Sequence, residues 1–256
     1  MRSAVLVLSV LLLSACASLT QGPAGEPNYA NQAAENLALG EAALEDKDFL
    51  KAEKYFDHVR TKFPYLEAAR EAELKLGDLD FAREMYAEAR EKFDSFIKLH
   101  PTHPKVDYAA YRLALSYVQE FPSEFFALPP SYEKEQKPMY DALRAMNLFL
   151  RQYPDSQYVK DAKVHADDAR QRLARHELYV ASFYAKRERW KAVAQRLEGL
   201  LKDYPGTSLE EEALFDLHQA YVKLNDTERA QNTLREVLKR LPGTPAAQRA
   251  QKMLGS

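Results

Sequence analysis

The chain holds one cysteine in 256 residues, Cys16, so no intramolecular disulfide can form. It has only eight glycines, with no glycine-rich phosphate loop among them, as suits a mostly helical protein. Basic charge is not in excess. Lys and Arg number 36 against 38 Asp and Glu, a net charge of −2 that offers nothing to grip a nucleic acid backbone. The apolar run Ala4 to Leu13 has ten residues, too few to span a bilayer. Catalytic patterns are missing as well. There is no G-x-S-x-G elbow, and His176-Glu177 opens like a metalloprotease pair but meets Val180 where the second histidine belongs. His100 and His103 bracket Pro101 without a third ligand at useful spacing, and they read as capping and packing residues. The run Glu210-Glu211-Glu212 reads as the first turn of a helix, where acids complement the dipole. No enzyme activity, cofactor or metal is expected.

What is present is a repeat, read by counting from five prolines: Pro64, Pro101, Pro154, Pro205 and Pro242. Eight residues earlier stand Phe56, Phe93, Met146, Leu197 and Leu234; five earlier stand Val59, Phe96, Phe149, Leu200 and Val237. With Phe63, His100, Tyr153, Tyr204 and Leu241 one residue earlier, these offsets trace one face of a helix. Eight residues after the prolines come Ala72, Ala109, Ala162, Ala213 and Ala250, small enough for a close helix contact. Twelve before them are Ala52, Ala89, Ala142, Val193 and Ala230, which completes the A-x3-F…P signature of a tetratricopeptide repeat. The predicted fold is an all-α superhelical solenoid of about five helix–turn–helix repeats. A single repeat buries too little to offset its ordering entropy, so the units must stack. The surface that such a stack presents suits polypeptide ligands.

In chain order, residues 1–15 read as a signal peptide: Arg2, the apolar run, then Leu13-Ser14-Ala15-Cys16, a lipobox-like end that makes Cys16 the predicted lipidation site. Ala17 and Ser18 follow, with no aspartate at the second position, a pattern that resembles outer-membrane sorting in Gram-negative lipoproteins. Residues 16–28 form a tether with Gly22, Pro23, Gly25 and Pro27. One repeat domain is expected over 29–256, with N-terminal repeats in 29–153 and C-terminal repeats in 154–256. The period breaks twice. Glu120 to Pro138 is an insertion read as an ordered loop, because Phe121, Phe125, Phe126 and Leu128 need burial. Gln157 to Arg187 has no proline or glycine and is read as one helix of roughly 30 residues. A last helix over Pro245–Leu254 is expected to cap the open end.

Three stretches carry a more specific resemblance. Lys98-Leu-His-Pro-Thr-His-Pro-Lys-Val-Asp-Tyr108, Arg151-Gln-Tyr-Pro-Asp-Ser-Gln-Tyr158, and Arg172 to Tyr204 with Trp190 and the RLEG of Arg196–Gly199 resemble the BamD (ComL) family. These are lipoproteins of the outer-membrane β-barrel assembly machinery. The insertion departs from the family in detail, with Glu133-Lys134-Glu135-Gln136 where relatives often carry D-R-D-Q. The resemblance implies an outer-membrane scaffold facing the periplasm. Its N-terminal repeats would receive the C-terminal strand of unfolded barrel proteins. Its C-terminal repeats would dock the periplasmic domain of the central barrel component, with accessory lipoproteins alongside. A Tol–Pal-associated cell-division coordinator shares Y-P-x-S repeats but is soluble with an N-terminal coiled coil; here a lipobox stands first and no heptad run follows. A lipid-anchored peptidoglycan hydrolase would need a paired acid or nucleophile, and none is found.

Candidate residues follow from both readings. Lys75 and Arg112 each stand eleven residues past a proline, so stacking would set them side by side. With Tyr108 and Tyr111 they form the expected peptide-binding group, the tyrosines for an apolar end and the cations for a terminal carboxylate. Arg196, just off the apolar face and within the family-like RLEG, is the expected partner-docking residue.

Overall fold

The structure is a computed structural model that describes residues 27–122 and 129–255. The signal peptide, Cys16, most of the tether, and Phe125, Phe126 and Leu128 lie outside the described residues.

Among the described residues there are eleven α-helices and no strand. Four repeats are plain pairs or nearly so: α1 (Ala33–Glu45) with α2 (Phe49–Lys62), α3 (Glu67–Ala82) with α4 (Tyr86–Leu99), α7 (Val159–Ala185) with α8 (Trp190–Asp203), and α9 (Glu210–Lys223) with α10 (Thr227–Arg240). In the third repeat α5 (Val106–Val118) and α6 (Lys137–Gln152) are separated by the insertion, and α11 (Pro245–Leu254) closes the series. Each helix packs on the next in sequence, which makes the tetratricopeptide-like solenoid.

The prolines work as the register implies. The residue before a proline is pushed out of the α region. All five such residues have φ between −122° and −130° and ψ between 46° and 61°, and each donates its N–H to the carbonyl five residues before the proline. The turn inside a repeat has its own device. Lys47, Glu84, Glu188 and Asn225 adopt φ of 59°, 61°, 55° and 56°, the left-handed C-cap of a Schellman turn. In the first of these, Lys47 N–H bonds Leu44 O and Asp48 N–H bonds Ala43 O.

Every joint between repeats is built from the same offsets. Phe56 and Val59 meet Ala72 and Leu76; Phe93 and Phe96 meet Ala109; Met146 and Phe149 meet Ala162 and Ala166. Leu197 and Leu200 share a core with Ala213 and Leu217. All five alanines eight residues past a proline are fully buried, as close helix contact demands.

The two breaks in the period belong together. At 27 residues α7 is nearly twice the length of α8, somewhat shorter than the span expected from sequence. Its first half joins the Met146–Phe149 core, and its second half, through Leu173, Ala174 and Ala181, joins the Leu197–Leu200 core. The described part of the insertion lies on those added turns. Phe121 sits 5.4 Å from the Arg172 guanidinium, His176 Nδ1 donates to Tyr132 O at 2.6 Å, and Tyr132 packs 5.2 Å from Tyr179. A short 3-10 turn, Ser131–Glu133, is pinned by Gln136, whose amide donates to Ser131 O at 3.0 Å.

Candidate functional site

The sequence-predicted peptide group falls on the first helices of successive repeats, which touch one another along one face. Lys75 on α3 pairs with Glu41 on α1 at 2.7 Å. Arg112 on α5 places Nε 3.0 Å from the Asp78 carboxylate on α3. That Nε–H is buried without an aligned acceptor, so the pair is a charge contact rather than a good hydrogen bond. The guanidinium lies over the Phe81 ring at 3.9 Å, a cation–π seat. Tyr108 hydroxyl donates to Asp78 at 2.6 Å. Burial pushes the Asp78 carboxyl above its ordinary range, against the pull of Arg112 and Tyr108. Burial, then the Asp78 charge, raises Tyr108 far above the normal phenol value.

The structure brings Arg112 and Tyr108 together at Asp78, leaves Lys75 on the preceding rung with Glu41, and sends Tyr111 toward the next element. Tyr111 is buried, stacks on Tyr158 with centroids 4.8 Å apart, and donates its hydroxyl to Asp161 on α7. Burial and that bond raise its pKa as well. Tyr158 also meets Tyr108 at 5.7 Å, so three tyrosines form one aromatic run from α5 to the start of α7. Tyr117 takes the other direction, under the Arg90 guanidinium at 4.3 Å.

Four members of this group escaped the sequence reading: Glu41, Asp78, Tyr158 and Asp161. A signal for two of them exists. Pro27 lies 37 residues before Pro64, and Glu41 and Asp78 each stand fourteen residues past their proline. The acid at +14 in one repeat meets the base at +11 in the next, twice over. The ladder stops at the third repeat, where the +14 position is Leu115.

Arg196 is on α8, 44% exposed, with Nη1 3.1 Å from Glu177 on α7. Gly199 lies three residues on, and a Cβ built there would meet nothing within 4 Å. The histidine–glutamate pair at 176 and 177 thus holds the insertion with one member and α8 with the other. A cavity of 1010 Å³ lies between α8, α9 and α10 over Leu201, Leu214 and Leu217, and none of the candidate site residues lines it.

One group has metal-ligand composition: atoms of Glu67, Glu71 and His103 lie within 4.8 Å of one another. The hydrogen bonds assign it a different job. His103 Nδ1 accepts the Lys105 backbone N–H at 3.1 Å, so the neutral ring carries its proton on Nε2, which faces Glu67. A metal at Nε2 would need that lone pair. Glu71 is held by Lys105 at 2.6 Å, and His103 packs edge-on to Phe96. His100 bonds Glu73 at 2.7 Å. Both histidines tie the turn after Pro101 back to α3.

The model of a family described as an outer membrane lipoprotein, YfiO, matches residues 29–238. The outer membrane protein assembly factor BamD of Haemophilus influenzae is 31% identical over 228 residues, which are 87% of this chain and 87% of that protein. Its counterpart in Pasteurella multocida is 30% identical over 198 residues, 76% of each chain. That of Neisseria gonorrhoeae is 29% identical over 251 residues, 96% of this chain and 93% of that one.

Proposed function

The chain belongs to the YfiO family of outer membrane lipoproteins, and from that premise we propose that it serves outer membrane protein assembly as a lipid-anchored scaffold. The observation that carries this is the match itself, which runs through all five repeats to residue 238. Cys16 holds the acyl chains, on the periplasmic face of the outer membrane of a Gram-negative bacterium. The residues from 29 to 256 act as one domain. Its N-terminal repeats receive the terminal strand of an unfolded barrel protein along the first-helix face, at Lys75, Tyr108, Tyr111 and Arg112. The aromatic run from Tyr108 to Tyr158 supports that assignment, since a strand ending in an aromatic residue needs apolar contact beside a cation. Arg196 docks the periplasmic domain of the central barrel component, and accessory lipoproteins bind alongside. The exposure of Arg196 and the open space over Gly199 support this side of the reading.

Co-purification tests it. The chain, solubilised from membranes, is expected to bring down the central barrel component, and Cys16→Ser is expected to release the chain into the periplasm. Capture of no barrel component, or an unmodified Cys16 by mass spectrometry of the mature protein, would overturn the corresponding half.

A further inference from the structure

The two rungs of the ion-pair ladder differ in how firmly they are closed. Asp78 and Arg112 are 12% and 19% exposed, and Tyr108 and the Phe81 ring lock them from two more sides. Glu41 and Lys75 are 40% and 28% exposed, and among the described residues no aromatic ring or tyrosine hydroxyl joins them. A half-exposed pair opens at small cost; a mostly buried one held by two further groups does not. Each rung also shows what its cation accepts, because an in-chain carboxylate already sits against it.

We infer that Lys75 is the cation that reads the terminal carboxylate of a bound peptide, and that Glu41 is a built-in stand-in which the incoming carboxylate displaces. Arg112, by contrast, is a fixed part of the wall. This deepens the peptide-binding reading proposed above and rests on it. The exchange needs only that Glu41 swing into solvent, which its exposure allows. The register places Lys75 one helical turn from the fully buried Ala72, so the ammonium is held at a set height above the joint between α2 and α3. Specificity for a chain end then comes from competition: a ligand without a free carboxylate cannot replace Glu41.

The test uses the full-length lipoprotein in detergent and a fluorescent decapeptide of alternating apolar residues ending in phenylalanine, as free acid and as C-terminal amide. Wild type is expected to prefer the acid. Glu41→Gln is expected to tighten the acid about two- to fivefold, the strength of an exposed ion pair, and to leave the amide unchanged. Lys75→Gln is expected to abolish the preference. Both positions are half-exposed, so melting temperature stays near wild type, and a large fall would assign the residues a structural role and overturn the inference. An acid preference that survives Lys75→Gln, or is unaltered by Glu41→Gln, overturns it too. Wild type binding both peptides equally removes the end-reading alone, whereas wild type binding neither removes the groove and the inference together.

Discussion

The first two repeats and the last two share one register but fill it differently. In the first half, Phe56 and Phe93 occupy the position eight residues before the proline, and each ring lies on a glycine of the paired helix. A Cβ on Gly40 would stand 2.6 Å from Phe56, and one on Gly77 would stand 2.7 Å from Phe93. In the last half Leu197 and Leu234 take that position. The ion-pair ladder lies in the first half, and the 1010 Å³ cavity in the last. A repeat fixes where helices meet; side-chain volume is traded freely as long as the joint stays full. The halves are therefore free to present different surfaces, one lined with tyrosine and paired charge, the other with an open groove. They are joined by α7, one rod whose two ends belong to two cores.

The largest effect expected tests the shared register. Leu200→Ala in the last half is expected to cost about 2–5 kcal/mol, and Phe96→Ala at the same offset in the first half about 3–5 kcal/mol. Both are essentially fully buried. Lys202→Ala, on the exposed side of the same helix as Leu200, is expected to cost under about 0.5 kcal/mol. Thermal melts followed by circular dichroism report all three, and equal shifts for Leu200 and Lys202 would break the register.

The glycine notch is next. Gly77→Ala forces the Phe93 ring to move, at an expected cost of about 1–3 kcal/mol for an overpacked core. Pairing it with Phe93→Leu, which copies the leucine solution of the last half, is expected to recover most of the loss of Gly77→Ala. If the double variant melts no higher than Gly77→Ala alone, the halves are not two solutions to one packing problem.

These notches show where the sequence was legible and where it was not. Periodicity located the helices, since each apolar offset is a local fact; α11 spans Pro245–Leu254 as expected from the residues alone. Contacts across helices were less visible. Gly77 reads as a helix weakener until Phe93 is seen against it, and Glu41 reads as a solvated acid until stacking sets it on Lys75. The insertion and the long helix were read as separate irregularities, although each exists to cover the other; nothing in the spacing of Tyr132 says that its carbonyl will receive His176. Left-handed turn residues were silent too, because Lys47, Glu84 and Glu188 are not the glycines that such a turn favours.

The docking proposed for the last half is sharpened by Arg196→Glu. It is expected to weaken binding of the central barrel component about tenfold, the worth of one charge-assisted hydrogen bond, with little change in melting temperature. Because Nη1 lies 3.1 Å from Glu177, the new glutamate would face a carboxylate of its own chain. Arg196→Gln separates the lost contact from that repulsion, and both variants should weaken binding. Affinity unchanged in both at moderate salt would leave Arg196 as a brace between α7 and α8.

The smallest effect has the opposite sign in the two halves. Gly199, like Gly77, sits inside a helix, where glycine is about 1 kcal/mol worse than alanine. At Gly77 the missing Cβ admits a phenylalanine; at Gly199 it admits nothing among the described residues. Gly199→Ala is therefore expected to raise stability by up to about 1 kcal/mol, where Gly77→Ala lowers it. Gly199 follows Arg196 by three residues and so shares its face of α8. If the docking partner's backbone comes close there, the added methyl stands between the two chains, and the stabilised variant binds the barrel component more weakly. Calorimetry on the free chain and a titration of the complex measure the two effects separately. A gain in melting temperature with undiminished affinity would place the partner elsewhere on the repeat, and no gain would mean that the helix around Gly199 is not built as described.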